Sequence, residues 1–197
     1  ELGYGAFPKL IISNGEFQLD ETPAGKAMMV GVQYVQTQFL ISPDGVQDAD
    51  KDQLAYYIKG QEATTKGVSV EDFKAKLRAD GFEPKESEYL MVQALVLKFS
   101  DAVGDVMPVG SPIIMQIPGA SLQRFKGIMV MMKNAGIPVN ERCVKVAVGP
   151  ATKSGNGKTY NPWQFTQVNG TVTQVCEKFG ISLAGMSGEL SDDLMDF

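Results

Sequence analysis

The chain has 197 residues, 44% of them hydrophobic, with a formal net charge of −5 and no histidine. That length and apolar content suit one domain, or one domain with a large insertion, that buries a real core. The lack of histidine excludes Ser-His-Asp and Cys-His catalytic arrangements and imidazole metal sites, so a non-enzymatic chain with no cofactor and no metal is expected.

Residues 1–6 read as a lead-in. Phe7 to Leu19 carries two short apolar alternations around Ser13-Asn14-Gly15, which predicts a hairpin, because Asn-Gly accepts the positive φ values of a tight turn. Ala27 to Ile41 is rich in β-branched and aromatic residues and predicts a long strand, bulged or bent at Gly31. Gln33, Gln36 and Gln38 interrupt it, and no apolar run reaches the ~20 residues of a membrane span. After the turn Pro43-Asp44-Gly45, the spacing of Leu54, Tyr57 and Ile58 predicts a helix over Asp50 to Gln61. Ser69 caps a second helix that carries Phe73 and Leu77 and stops at Gly81.

Tyr89 to Phe99 and Pro112 to Ile117 predict strands. Ser121 opens a helix with Leu122, Phe125, Met129 and Met132 on one face, ending at Asn134-Ala135-Gly136 and Pro138. Val139 to Val148 alternates as a strand, Gly149 to Gly157 is a loop, Lys158 to Val168 a strand and Gly170 to Phe179 a last helix. The expected fold is mainly β with inserted helices, a β-barrel over residues 1–181 with a helical insertion at about 42–83. Residues 182–197 are expected to form a flexible acidic tail, too polar to fold alone.

Charge is segregated. Residues 1–105 are net −7, residues 106–178 net +6, and the last nine residues net −4. A local positive field attracts phosphate whatever the total charge, because salt screens beyond about 8–10 Å. Cys143 and Cys176 are too few for a disulfide framework or a structural zinc site and are expected to be reduced in the cytoplasm.

Thr152-Lys153-Ser154-Gly155-Asn156-Gly157-Lys158-Thr159 approximates a phosphate loop. However, Thr152 stands where the first glycine belongs, and Tyr160-Asn161-Pro162-Trp163 is no helix start. The segment suits unpaired nucleic acid better. Lys153 and Lys158 supply cations, and Tyr160, Trp163 and Phe165 supply rings on which bases stack whatever their sequence. On one strand Trp163 and Phe165 share a face, while Tyr160 shares it only if Pro162 breaks the strand. Trp163, the single tryptophan, is equally a core residue in the making. Arg124, Lys126, Arg142 and Lys145 complete the expected DNA-binding set, although Arg142 and Lys145 point to opposite sides of a regular strand.

The chain ends Asp192-Asp193-Leu194-Met195-Asp196-Phe197. With this tip and the order of strands, inserted helices and late Lys/aromatic strand, the chain resembles the single-stranded DNA-binding proteins of bacteriophages. The resemblance implies an OB-fold and sequence-indifferent binding of single-stranded DNA in replication and recombination. It also implies a tip, here Asp192, Asp193, Asp196 and Phe197, that recruits replication or recombination proteins or competes for the DNA groove. A homo-oligomer is compatible with it. The linker before the tip is only about seven residues, shorter than in bacterial members. The alternative is a phage structural or assembly protein that docks through its methionines and acidic tip without binding nucleic acid.

Overall fold

The structure, a computed structural model, describes residues 7–46, 49–101, 106–154, 157 and 159–182. In chain order its elements are β1 (Lys9–Ser13), β2 (Glu16–Leu19), β3 (Thr22–Pro23), β4 (Ala27–Pro43), β5 (Ala55–Ile58), α1 (Val70–Ala79), β6 (Pro84–Phe99), β7 (Pro112–Pro118), α2 (Gly119–Asn134), β8 (Arg142–Val148), β9 (Thr152–Lys153), β10 (Thr159–Tyr160), β11 (Trp163–Thr171) and α3 (Val172–Phe179). Single 3₁₀ turns lie at Lys51–Gln53 and Val139–Glu141. At 46% strand and 24% helix, with a strongly curled sheet, the fold is of the expected mainly β class with inserted helices. The chain divides into two compact units, Gln36–Met91 and the remainder.

The larger unit holds the strand order β11-β8-β4-β6-β7-β1-β2-β3. β1 and β2 form the expected hairpin, with Asn14 at φ 52° and Gly15 at φ 78° in its turn. β1 also pairs in parallel with β7, Lys9 opposite Ile114. α2 packs on β7 and β11 and buries the predicted stripe of Leu122, Phe125, Met129 and Met132. It starts two residues before the expected cap. Pro118 is its N-cap, and Ser121 is fully buried inside the first turn, where its Oγ accepts the Trp163 backbone N–H at 2.9 Å.

α3 buries Val172, Val175 and Cys176 against Leu95, Leu97 and Cys143. Gly31 is not a bulge: it lies in register with Cys143. A Cβ there would stand 2.8 Å from Cγ2 of Val172, so the glycine lets α3 sit directly on the sheet. Burial pushes the Cys143 thiol up to about 12, with Cys176 and Glu141 adding to the shift. These thiols are packing groups rather than nucleophiles.

In the smaller unit, β5 pairs antiparallel with the end of β4, from Gln38–Ile58 to Ile41–Ala55. α1 begins at the predicted cap, where Ser69 Oγ accepts the Asp72 N–H, and buries Phe73 and Leu77 against Ile41 and Ala55. The helix expected over Asp50 to Gln61 does not form. Tyr56, Tyr57 and Ile58 favour extended backbone, and pairing with β4 outweighs the local helical spacing. The segment read as a helical insertion therefore carries a strand and one helix. Lys74 bridges Glu71 (3.3 Å) and Glu86 (2.8 Å), and the Tyr57 hydroxyl donates to Glu86 at 2.8 Å, fixing α1 to its neighbours.

Glu141 closes the first turn of α3. Its carboxylate accepts the Thr173 N–H at 2.9 Å and the Thr173 hydroxyl at 2.5 Å. Burial alone would raise its pKa. The hydrogen bonds from Thr173 and Thr171 outweigh burial and hold it below the ordinary 4.5. A carboxyl depressed in the folded state stabilises above its unfolded pKa, and that contribution disappears as pH falls through the folded value. Glu141→Gln is expected to lower stability at pH 7 by about 0.5–2 kcal/mol, as loss of a cap does. The gap to wild type should close as pH falls through the folded pKa of Glu141, which lies below 4.5, because both then carry a neutral side chain. Urea denaturation across pH 3–7 measures this.

Candidate functional site

An open pocket of about 430 Å³ lies in the larger unit, between the β1–β2 turn, the end of β7 and the β10–β11 junction. Ile11, Ile12, Pro118 and Trp163 give it apolar walls. Asn14, Gln116, Asn161 and Thr159 bring amides and a hydroxyl, and Tyr160 lines it with a ring 36% exposed. None of these residues is acidic.

The local sequence dictates this arrangement. Asn14-Gly15 turns the hairpin so that its tip becomes one wall. Across from it, Asn161-Pro162 interrupts the strand between β10 and β11. Gly149 donates its N–H to the Pro162 carbonyl at 2.8 Å, and the Asn161 Nδ2 donates to the Gly149 carbonyl at 2.9 Å. The interruption does what a regular strand could not: it brings Tyr160 and Trp163 to the same pocket. β9 and β10 pair as a small separate hairpin, Lys153 opposite Thr159 and Thr152 opposite Tyr160. Thr159 thus enters a strand, not a helix, and the segment lacks the helix N-terminus that a phosphate loop requires.

The expected DNA-binding residues are only partly gathered. Tyr160 and Trp163 share the pocket, and Lys153 is exposed one strand away from Thr159. Trp163 is only 4% exposed. Its ring lies 5.2 Å from Phe17 and 6.2 Å from Phe165, and Phe165 meets Phe125 edge-on at 5.1 Å. Trp163 is therefore chiefly core, showing the pocket one wall.

Arg142 is fully buried and its Nε donates to the Ile137 carbonyl at 2.9 Å. Burying a guanidinium is tolerable only when it is partnered, and here it ties the segment after α2 to β8. Arg142 cannot line an open groove. Lys145 is exposed but pairs with Thr166, whereas Phe165 pairs with Val146, so Lys145 lies on the opposite face from the rings. Arg124 is exposed and Lys126 half-buried on α2, the helix that starts at the pocket's Pro118. Lys158 and the tip residues Asp192, Asp193, Asp196 and Phe197 lie outside the described residues.

Sequence reasoning missed Ile11, Gln116 and Asn161 as site residues and took Asn14 only as a turn former. No local pattern marks them, because they meet through the β1–β7 pairing and the Gly149–Pro162 contact. Comparison with protein-family models, curated proteins and solved structures found no match to this chain.

The Gly149–Pro162 contact leaves no room for a side chain. A Cβ on Gly149 would lie 2.8 Å from the Pro162 carbonyl oxygen and 2.9 Å from its Cγ. Gly149→Ala is expected to destabilise by about 1–3 kcal/mol, as overpacking does. It should also shift the Trp163 emission, because the Asn161-Pro162 interruption moves with it. Denaturant titration followed by fluorescence reads both effects.

Proposed function

We propose that the chain binds single-stranded DNA without sequence preference, and that the pocket beside Tyr160 holds one unpaired base. The observation carrying this reading is the make-up of the pocket: a half-exposed tyrosine ring, apolar walls and three amides, with no acidic residue and Lys153 on the adjoining hairpin. A ring offers a stacking surface that every base can use. Amides offer both donors and acceptors, so purines and pyrimidines can each be satisfied. Lys153 supplies a cation for the flanking phosphate. The net +6 of residues 106–178 adds the longer-range attraction such binding needs. The likeness of the acidic tip to phage single-stranded DNA-binding proteins supports a role in DNA replication or recombination, with the tip recruiting partners or competing for the groove.

Titration of the full chain with a fluorescein-labelled thymidine 20-mer tests the reading. Binding should weaken steeply as salt rises, and Trp163 emission should change. Tyr160→Ala should weaken binding by about 1–3 kcal/mol, the range for loss of one stacked base. Lys153→Ala should reduce the salt slope by about 0.7, the value for one phosphate contact on a single strand. Absence of binding in low salt, or full affinity in Tyr160→Ala, would falsify it.

A further inference from the structure

One polar atom of the pocket has its chemistry fixed by a contact made behind the wall. Asn161 lines the pocket next to Tyr160, and its Nδ2 donates to the carbonyl of the buried Gly149 at 2.9 Å. A carbonyl oxygen accepts and cannot donate, so the amide has one orientation: the NH₂ group meets Gly149 and Oδ1 points elsewhere. Turning it over would set two oxygens against each other and leave the Gly149 carbonyl unpaired, which is costly in a buried place. Gly149 itself is held by its N–H bond to the Pro162 carbonyl at 2.8 Å.

Oδ1 looks toward the hairpin tip. A Cβ built on Gly15, another residue of the pocket, would stand 3.9 Å from it, and apart from Gly15's chain neighbours nothing else lies within 4 Å of that position. The oxygen thus borders open space between the β1–β2 turn and the β10–β11 junction. No donor among the described residues reaches it. An amide that can rotate shows a ligand either its donor or its acceptor. Asn161 shows only the acceptor.

Each nucleic-acid base carries an N–H on the edge it uses for Watson–Crick pairing: N3–H in thymine, N1–H in guanine, and the exocyclic amines of adenine and cytosine. In a duplex the opposite strand occupies that edge; in a single strand it is open to protein. We infer that Asn161 reads this edge, its Oδ1 accepting the Watson–Crick N–H of whichever base lies beside Tyr160. This role rests on the reading of the pocket as a base site and adds the edge by which the base is held. A single fixed acceptor that all four bases satisfy brings no sequence preference, yet a paired base cannot satisfy it.

The test compares fluorescein-labelled 20-mers of thymidine, N3-methylthymidine and O4-methylthymidine by anisotropy titration of the full chain at low salt. The two methylated strands keep rings, sugars and phosphates but have no hydrogen on N3. Both should bind about tenfold more weakly than thymidine, the scale of one hydrogen bond lost with its acceptor left facing the base. Asn161→Ala should weaken the thymidine strand by about the same factor and leave the methylated strands unchanged, so that the three converge. A merely structural role would weaken all three alike and keep the ratio.

The comparison of strands uses the unaltered protein, so it decides the matter even if Asn161→Ala fails to fold. The role of Asn161 is overturned if either methylated strand binds as tightly as thymidine, or if Asn161→Ala preserves the tenfold ratio. Equal binding of all strands that Tyr160→Ala still weakens would remove the edge contact and leave the base pocket standing. No binding of any strand would remove both.

Discussion

Four rings in file, Phe17, Trp163, Phe165 and Phe125, hold the larger unit together. They join the first hairpin, the last strand and the long helix α2, three pieces far apart in sequence. Each neighbouring pair is tilted, stacked or edge-on at 5.1–6.2 Å between ring centroids, distances at which aromatic pairs add about 0.5–1.5 kcal/mol beyond the area they bury. One hydrogen bond sets the register of this file. The Trp163 N–H finds Ser121 inside the first turn of α2, so the start of β11 and the start of α2 are fixed to the same point. Much of what lines the pocket is placed by reference to that point: Pro118 leads into α2, Tyr160 and Asn161 lead into β11, and the hairpin tip is carried by β2, the strand that holds Phe17.

This dependence explains which parts of the molecule were legible in the sequence. The Asn14-Gly15 turn, the apolar stripe of α2 and the Ser69 cap all follow from local rules of dihedral preference, periodicity and capping, and all three are present as expected. The segment around Tyr56 and Tyr57 was misread because helical spacing and β propensity conflicted there, and only the pairing partner, the end of β4, decides between them. Gly31 was expected to mark a bulge or a bend, because a glycine in a strand often does; it pairs in register with Cys143. Its actual reason, close approach of Val172, lies 141 positions away and leaves no local trace.

The site was legible in its residue types and not in its geometry. Tyr160 and Lys153 were chosen as a ring and a cation, and they lie beside a break in the strand, Tyr160 in the pocket wall and Lys153 on the adjoining hairpin. Arg142 was chosen for its charge, and nothing within its own segment tells a buried guanidinium from an exposed one. Lys145 was placed correctly in its strand but on the wrong side for joining the rings, as the alternation of a regular strand already hinted. Gln116 and Asn161 carry neither charge nor ring, so a search for phosphate and base contacts passes over them. They line the pocket all the same, and no compositional signal points to them.

The walls of the pocket come from residues 11–15, 116–118 and 159–163, and its first strand has a partner, β7, about a hundred positions downstream. During synthesis the β1–β2 hairpin can curl up as soon as it leaves the ribosome, yet its parallel partner β7 follows only about a hundred residues later. The aromatic file is later still, since Trp163 follows the end of β7 by 45 residues. A product terminated before Thr159 would lack one wall of the cavity. The cavity is thus closed in a single late step, when that segment arrives, rather than built up wall by wall.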